Sequence, residues 1–453
     1  MSRKLAVDAA LSGYWQQAVA ARRGFELGLL LGVSSGGATP TEALLTGVRV
    51  PPESEDADAR SFEDVSADWT QEFAKQVDRL LPGGVSVTGV YVLSAAPART
   101  ALDQATLYLR AMADALRVPE PFAALIETSE APRYVVHVCA NSGKTSARSV
   151  SHVLEASRTS AAAAELRGGA NVVLRKVTAA VAIDESVAFA RSAIVGGGDE
   201  DSVVERVVAA LQPQLVPLAA RVFAATAVST RRGDSDVVQF LTSAQQTLPP
   251  REANLQAELL RGSFRGAISC VAYIASGDAL TTGRDAVATA AAALKRDFLK
   301  SLLLRAELVA ERWADAVDAP PMLSAVNGAV GTLAFPRRAS LPWSSSLGAC
   351  SHFPALLHVF RGEHELAVQS ALEILSSSGD ADAAAGELSF LEAEPVAAPP
   401  QQQSKRGSNA ARSAPSTATG TPGAASSSTG AVLYIALAVL LALLAIVVQR
   451  VLL

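Results

Sequence analysis

Cysteine is scarce in this 453-residue chain: Cys139, Cys270 and Cys350 are odd in number and far apart. That pattern excludes a disulfide framework and fits reduced thiols. Asn-x-Ser/Thr sequons are missing altogether, as a chain outside the lumen permits. No signal peptide is legible near the start, where Asp8 interrupts the first apolar run and Glu26 sits inside the second. There is no basic block, and with a net charge of −5 nucleic acid is not an expected partner. The chain also lacks a redox Cys-x-x-Cys, a GxGxxG and a convincing pair of carboxylates, so catalysis has no visible residues and no cofactor is expected.

Against these absences stands one long apolar run, Ala431 to Val448 (AVLYIALAVLLALLAIVV), without a charge. A buried core helix would need a polar face, and the run has none. At about 1.5 Å per residue a helix here covers roughly 27 Å, close to the thinner hydrocarbon core of an endoplasmic reticulum bilayer. Only Gln449 to Leu453 follow, so the expectation is a tail anchor inserted after synthesis, with the preceding chain cytosolic. Lys405, Arg406 and Arg412 before the span, against Arg450 alone after it, agree with that orientation.

Taken in order, the chain opens with a helix expected over Leu5 to Ala20 and a buried strand over Phe25 to Gly32 (FELGLLLG). A second strand, Ala43 to Val50, precedes an acidic loop, Glu53 to Asp64. Asp68 is placed to cap a helix whose Trp69, Phe73, Val77 and Leu80 or Leu81 fall on one face, and Pro82, Gly83 and Gly84 end it. Val85 to Leu93 alternates as a strand, with Gly89 where another backbone comes close. A helix over Thr100 to Arg117 and a strand over Arg133 to Ala140 follow. Beyond Asn141 the expected strands are Asn171 to Ile183 and Val216 to Val228, then a hairpin of Leu255 to Arg261 and Arg265 to Ala275 joined through RGSFRG.

A long helix is expected from Thr282 or Gly283 to about Ala316, with Val287, Leu294, Phe298, Leu302, Val309 and Trp313 as its buried stripe. Lys295, Lys300, Glu307 and Glu311 fall on its more exposed faces. Strands at Gly331 to Phe335 and Leu356 to Phe360 and a helix at Glu363 to Leu375 complete the folded part. From Glu394 to Gly430 the composition is that of a flexible tether. Alternating strands and helices give an α/β class built of α+β layers.

Three local patterns hint at chemistry. Gly32-Val-Ser34-Ser-Gly36 matches the nucleophile-elbow pattern, but a second strand rather than a helix follows, which leaves Ser34 as the residue of an alternative, membrane-surface hydrolase reading. Val138 to Thr145 resembles a phosphate loop, yet Val138 stands where the first glycine is needed, and a hairpin turn is favoured. Cys350, His352, His358 and His364 have spacings that match no standard zinc pairing, so no metal is assigned to them.

In order, GLLLG (Gly28 to Gly32), VRVPP (Val48 to Pro52), RLLPGGVSVTGVYVL (Arg79 to Leu93), RGAISCVAYI (Arg265 to Ile274), ALKRDFL (Ala293 to Leu299) and a C-terminal anchor resemble the odorant-response-abnormal protein four family. The resemblance implies a tail-anchored adaptor in the endoplasmic reticulum membrane that is not an enzyme. Its implied partners are multipass membrane-protein clients, chemosensory receptors among them, and a protease specific for a ubiquitin-fold modifier. The first 150 residues also resemble the MPN domain of metalloproteases that remove ubiquitin. Aligned on Gly89 and Tyr91, Val92 and Ser94 stand where that family has its zinc-binding histidines; Asp103 and Glu26 lie near its aspartate and upstream glutamate. The implied domain is a non-catalytic MPN-like scaffold, a class that pairs with other MPN-like domains. The expected divisions are 1–150 for this scaffold, 151–252 and 253–393 for further α/β regions, 394–430 for the tether and 431–448 for the anchor.

Overall fold

A computed structural model describes residues 3–34, 42–53, 61–126, 132–155, 158–190, 203–232, 235–241, 259–276, 284–318, 332–343, 353–375 and 387–393. They form a mixed α/β structure and lie in a compact unit, Met1–Val396. The tether and the apolar run expected at 431–448 lie outside the described residues, as do Cys350 and His352.

The chain starts as a strand, not a helix. β1 (Arg3–Asp8) alternates, with Leu5 and Val7 buried, and Asp8 then caps α1 (Ala9–Ala20) by accepting from Ala10 N at 2.9 Å. The capping carboxylate is therefore the switch from extended chain to helix. β2 (Phe25–Ser34) and β3 (Glu42–Arg49) form an antiparallel pair, and β4 (Val85–Ser94) adds to β2. Between them α2 (Ala67–Leu80) is capped by Ser66, whose hydroxyl accepts from Trp69 N at 3.1 Å, rather than by Asp68 in its first turn. α3 (Ala98–Ala115) carries the chain back so that β5 (Arg133–Cys139) lies parallel to β4. β6 (Thr145–Ser151) and β7 (Ser160–Ala170) follow, and β1 pairs in parallel with both β3 and β7. The result is a closed barrel in the order β1-β3-β2-β4-β5-β6-β7, which leaves no free edge.

Two cores separate on the two faces of β4 and β5. Tyr91, Leu93, Val136 and Val138 pack with α1 through Leu11, Tyr14 and Trp15. Val90, Val92 and Val135 pack with α2 and α3 through Phe73, Val77 and Leu109. Gly89 is required at the β4–β5 contact: a Cβ there would lie 2.0 Å from the Tyr134 carbonyl oxygen.

The second sheet, in the order β12-β11-β8-β10-β9, contains two strands of 18 residues, β8 (Val173–Ala190) and β11 (Leu259–Ser276), paired from end to end. Gly262 and Gly266 thus lie within one continuous strand; the hairpin expected at RGSFRG does not form, because β8 supplies partners on both sides of it. β9 (Thr226–Arg232) and β10 (Ser235–Leu241) complete one flank and β12 (Thr332–Ala334) the other.

The strand expected at Val216 to Val228 is mostly helix. α4 (Val203–Ala224) buries Val207, Leu211, Leu215, Leu218 and Val222, a helical repeat, although it contains Pro213 and Pro217. Among the described residues no single helix is long and apolar enough to cross a membrane. The two halves of α4 pass together by length and composition, with a 50° bend between them.

Of the stripe expected on α5 (Arg284–Asp318), Leu294, Phe298, Leu302 and Val309 are fully buried and Val287 is half-buried, while the Trp313 side chain lies outside the described ones. Its outer positions are docking points rather than solvated faces. Lys295 Nζ donates to the Phe223 and Ala225 carbonyls, Lys300 Nζ pairs with Asp78 at 3.0 Å, and Glu307 pairs with Arg79 at 2.6 Å. A third sheet, β14-β13-β15, joins β13 (Arg337–Leu341), β14 (Ala355–Val359) and β15 (Ser389–Phe390), with α6 (His364–Leu375) against it.

The sheets cut the chain at places other than residues 150 and 252. β7 extends the barrel to Ala170, and the β8–β11 ladder joins the two regions expected to be separate. Pro82-Gly83-Gly84 is the joint. Gly83 N donates to Val271 O and Gly83 O accepts from Tyr273 N, while Gly84 sits at φ 81° with the Tyr273 carbonyl 2.2 Å from where a Cβ would be.

Candidate functional site

The parallel pair β4 and β5 ends at Ser94 and Cys139, which are register partners, and α3 begins just beyond β4. On β4 the residues facing α3 are Val90, Val92 and Ser94. Val92 is fully buried among aliphatic side chains and offers no ligand atom. Ser94 is buried, and its Oγ lies 3.3 Å from Nε2 of His137, the residue that pairs with Val92 across the ladder.

His137 is a residue that the sequence did not single out. It is 1% exposed, and its Nε2 also lies 3.3 Å from the Ser94 carbonyl oxygen. With the proton on Nε2 the ring donates to the Ser94 carbonyl; with it on Nδ1, Nε2 accepts from the Ser94 hydroxyl. Burial pushes the imidazole pKa below its ordinary value, with the Ser94 carbonyl opposing, so the ring is neutral. Nδ1 makes no hydrogen bond, which means that no third group orients the ring as a catalytic triad requires.

Asp103 on α3 is exposed and accepts from Arg148 Nη1 of β6 at 2.6 Å. That hydrogen bond holds its carboxyl below the usual range. Glu26 lies on the opposite face of the sheet. Its Oε1 accepts from Tyr14 of α1 and from Tyr91 at 2.7 Å, and its Oε2 pairs with Arg23 at 3.1 Å. Burial and the Glu26 charge push both tyrosine pKa values up. The fold thus brings Val92, Ser94 and His137 together and leaves Glu26 behind the sheet.

The remaining sequence candidates are dispersed. Ser34 ends β2 and is the register partner of Glu42 in β3, so the elbow pattern joins strand to strand. Residues Cys139 to Lys144 make the β5–β6 hairpin, with Gly143 N donating to Cys139 O at 2.8 Å, in place of a phosphate loop. His358 is half-buried, 2.8 Å from Ser301 Oγ, and His364 is exposed at the start of α6. Among the described residues no group of three or more His, Cys, Asp or Glu is placed to hold a metal ion.

A model of the ODR4-like family, described as odorant response abnormal 4-like, matches residues 28–383. The chain belongs to this family. The match runs from within β2 of the barrel to beyond α6, and of the strands of the three sheets it leaves out β1 and β15. No curated protein matches it. Among solved structures, UfSP from C. elegans is similar at 9% identity and a TM-score of 0.35, over 83% of this chain and 57% of that one. The ODR4-like chain therefore spans less than two thirds of that protein, and a likeness of this size carries no statement about activity.

Proposed function

We propose that this ODR4-like chain is a membrane adaptor: tail-anchored in the endoplasmic reticulum, with its folded unit in the cytosol, it assists the trafficking of multipass receptors such as chemosensory receptors. In the same reading it tethers a protease specific for a ubiquitin-fold modifier. Family membership over residues 28–383 is the observation that carries the proposal. The barrel serves as a non-catalytic MPN-like scaffold, able to pair with another MPN-like domain. Support comes from β4: on the alignment at Gly89 and Tyr91, Val92 and Ser94 stand where the MPN family has its two zinc-binding histidines, and an isopropyl group and a hydroxyl supply neither the nitrogen ligands nor the activated water on which such hydrolysis depends. Residues 394–430 act as the tether and 431–448 as the anchor.

The test is recovery of the full-length protein from its own membranes, followed by identification of what stays bound and by metal analysis. A multipass client and a protease in the bound fraction, without stoichiometric zinc on the chain, are the expected result. One zinc per chain with chelator-sensitive cleavage by the purified protein would replace the adaptor with an enzyme. Truncation after Gly430 should release the protein from membranes; sedimentation of the truncated chain in high salt would show that the anchor is elsewhere.

A further inference from the structure

Residues 387–393 (Glu-Leu-Ser-Phe-Leu-Glu-Ala) lie on the folded unit as a bound peptide does. Ser389 and Phe390 add to the edge of β13 opposite Ser340 and Ala339. Leu391 N donates to the Arg338 carbonyl at 2.9 Å, and Ser269 Oγ donates to the Leu391 carbonyl at 2.8 Å. Leu388 and Leu391 rest against the larger core, and the Arg337 guanidinium lies 4.1 Å from the Phe390 ring centre.

The next residue, Glu392, enters a closed socket. Arg305 Nη2 lies 2.6 Å and 2.8 Å from its two oxygens, Ser269 N donates to Oε1 at 3.0 Å and Arg338 N donates to Oε2 at 2.9 Å. The paired side chains are 4% and 5% exposed. Both guanidinium groups of the socket also have partners outside this segment. Arg305 Nε donates to Ser301 Oγ at 3.2 Å, and Ser301 contacts His358. Arg338 is paired with Asp297, which also accepts from Val271 N, and it reaches the Ser269 carbonyl.

We propose that α5, β11 and β13 form a receptor for an extended acidic peptide, read by strand addition to β13 and by one carboxylate in the Arg305 socket, with residues 387–393 as its resident ligand. The ligand class follows from the contacts: two backbone positions for the β13 edge, an aliphatic side chain, and a glutamate directly after it. Charge sets the selectivity. Among the described residues Glu392 is the carboxylate paired with Arg305, and its charge offsets the burial that disfavours the guanidinium. A neutral isostere of the glutamate cannot supply that compensation. A partner strand of this class displaces the resident one from the β13 edge and the Arg305 socket.

The experiment uses the full-length protein in nonionic detergent, with specific protease sites introduced within 376–386 and after Ala393, so that cutting turns the segment into a free ligand. The probe is a fluorescent synthetic peptide of residues 387–393. The expected result is exchange of the probe into the cut protein, competition by the unlabelled peptide, and at least about 100-fold weaker competition by the peptide carrying the Glu392→Gln change. As a second arm, uncut full-length protein with Glu392→Gln should bind the probe, and uncut wild type should not. Equal competition by the two peptides, retention of the original segment against excess probe, or failure of the Glu392→Gln protein to bind the probe would each overturn the proposal.

Discussion

Glu42 gives the sharpest test of the barrel. It is the first residue of β3, between Leu5 of β1 and Ser34 of β2, and is 4% exposed. Tyr134 of β5 hydrogen-bonds to it, Arg3 and Arg133 stabilise its charge in part, and Oε2 makes no hydrogen bond. Burial outweighs these and raises its pKa from 4.5 to about 7. A shift of that size corresponds to about 3 kcal/mol. The sign follows from the raised folded value: below pH 4.5 the carboxyl is protonated whether folded or not, and its contribution is fully present. As pH rises through about 7 the unfolded chain ionises first, and the contribution is lost. Glu42→Gln keeps the shape and removes the titration. Denaturant unfolding of the unit up to Val396, followed by the fluorescence of buried Trp15, should show equal stability of the two proteins near pH 4.5 and an advantage for the variant of up to about 3 kcal/mol at pH 8. A difference that does not change between those pH values would refute the assignment of a buried carboxyl that titrates near neutrality.

Gly89→Ala should cost about 3 kcal/mol or more by the same unfolding assay, because its Cβ meets backbone that cannot move without breaking the β4–β5 ladder. Gly13→Ala in α1, with nothing within 4 Å of the new Cβ, should instead stabilise by about 0.5–1 kcal/mol. Ser66→Ala should cost about 1 kcal/mol through loss of the α2 cap, whereas Asp68→Ala should cost clearly less; the reverse order would restore the sequence-based assignment.

The elements legible in the sequence are those with a strong apolar signal of their own. β2, β3, β4, α3, β5, α5 and α6 all lie within a few residues of their expected places: the four strands are apolar runs buried on both faces, and α3 and α5 keep three-and-four spacing. The failures have physical causes. β1 runs directly into α1 without glycine or proline between them, so only the Asp8 cap marks the change. α4 carries β-branched residues and two prolines, local signals against helix, and is held by burial of one face against β8 and α5. In β11 the RGSFRG stretch has turn composition, but 18 register partners in β8 override it. β13 is five residues long, and its Arg338 is a charge in a central strand; only Asp297 on α5, 41 positions away in the chain, explains it.

The face of a strand decides which chemistry a residue can join, and this is where the candidate site parted from its sequence reading. The β2–β4 register puts Glu26 opposite Leu93 and Leu27 opposite Val92. Since partners across a ladder point the same way, Glu26 shares the α1 side with Tyr91, while Val92 and Ser94 point toward α3. No rotamer of Glu26 reaches through a two-layer sheet core, so it cannot serve Ser94, and its two tyrosines and Arg23 already use its oxygens. The same parity places His137 beside Ser94, because the parallel β4–β5 register matches Val92 with His137. A sequence search for His-x-His along β4 misses that imidazole, which arrives from the neighbouring strand. It arrives singly, with its Nδ1 unbonded, and what it builds there is a packed end to two strands.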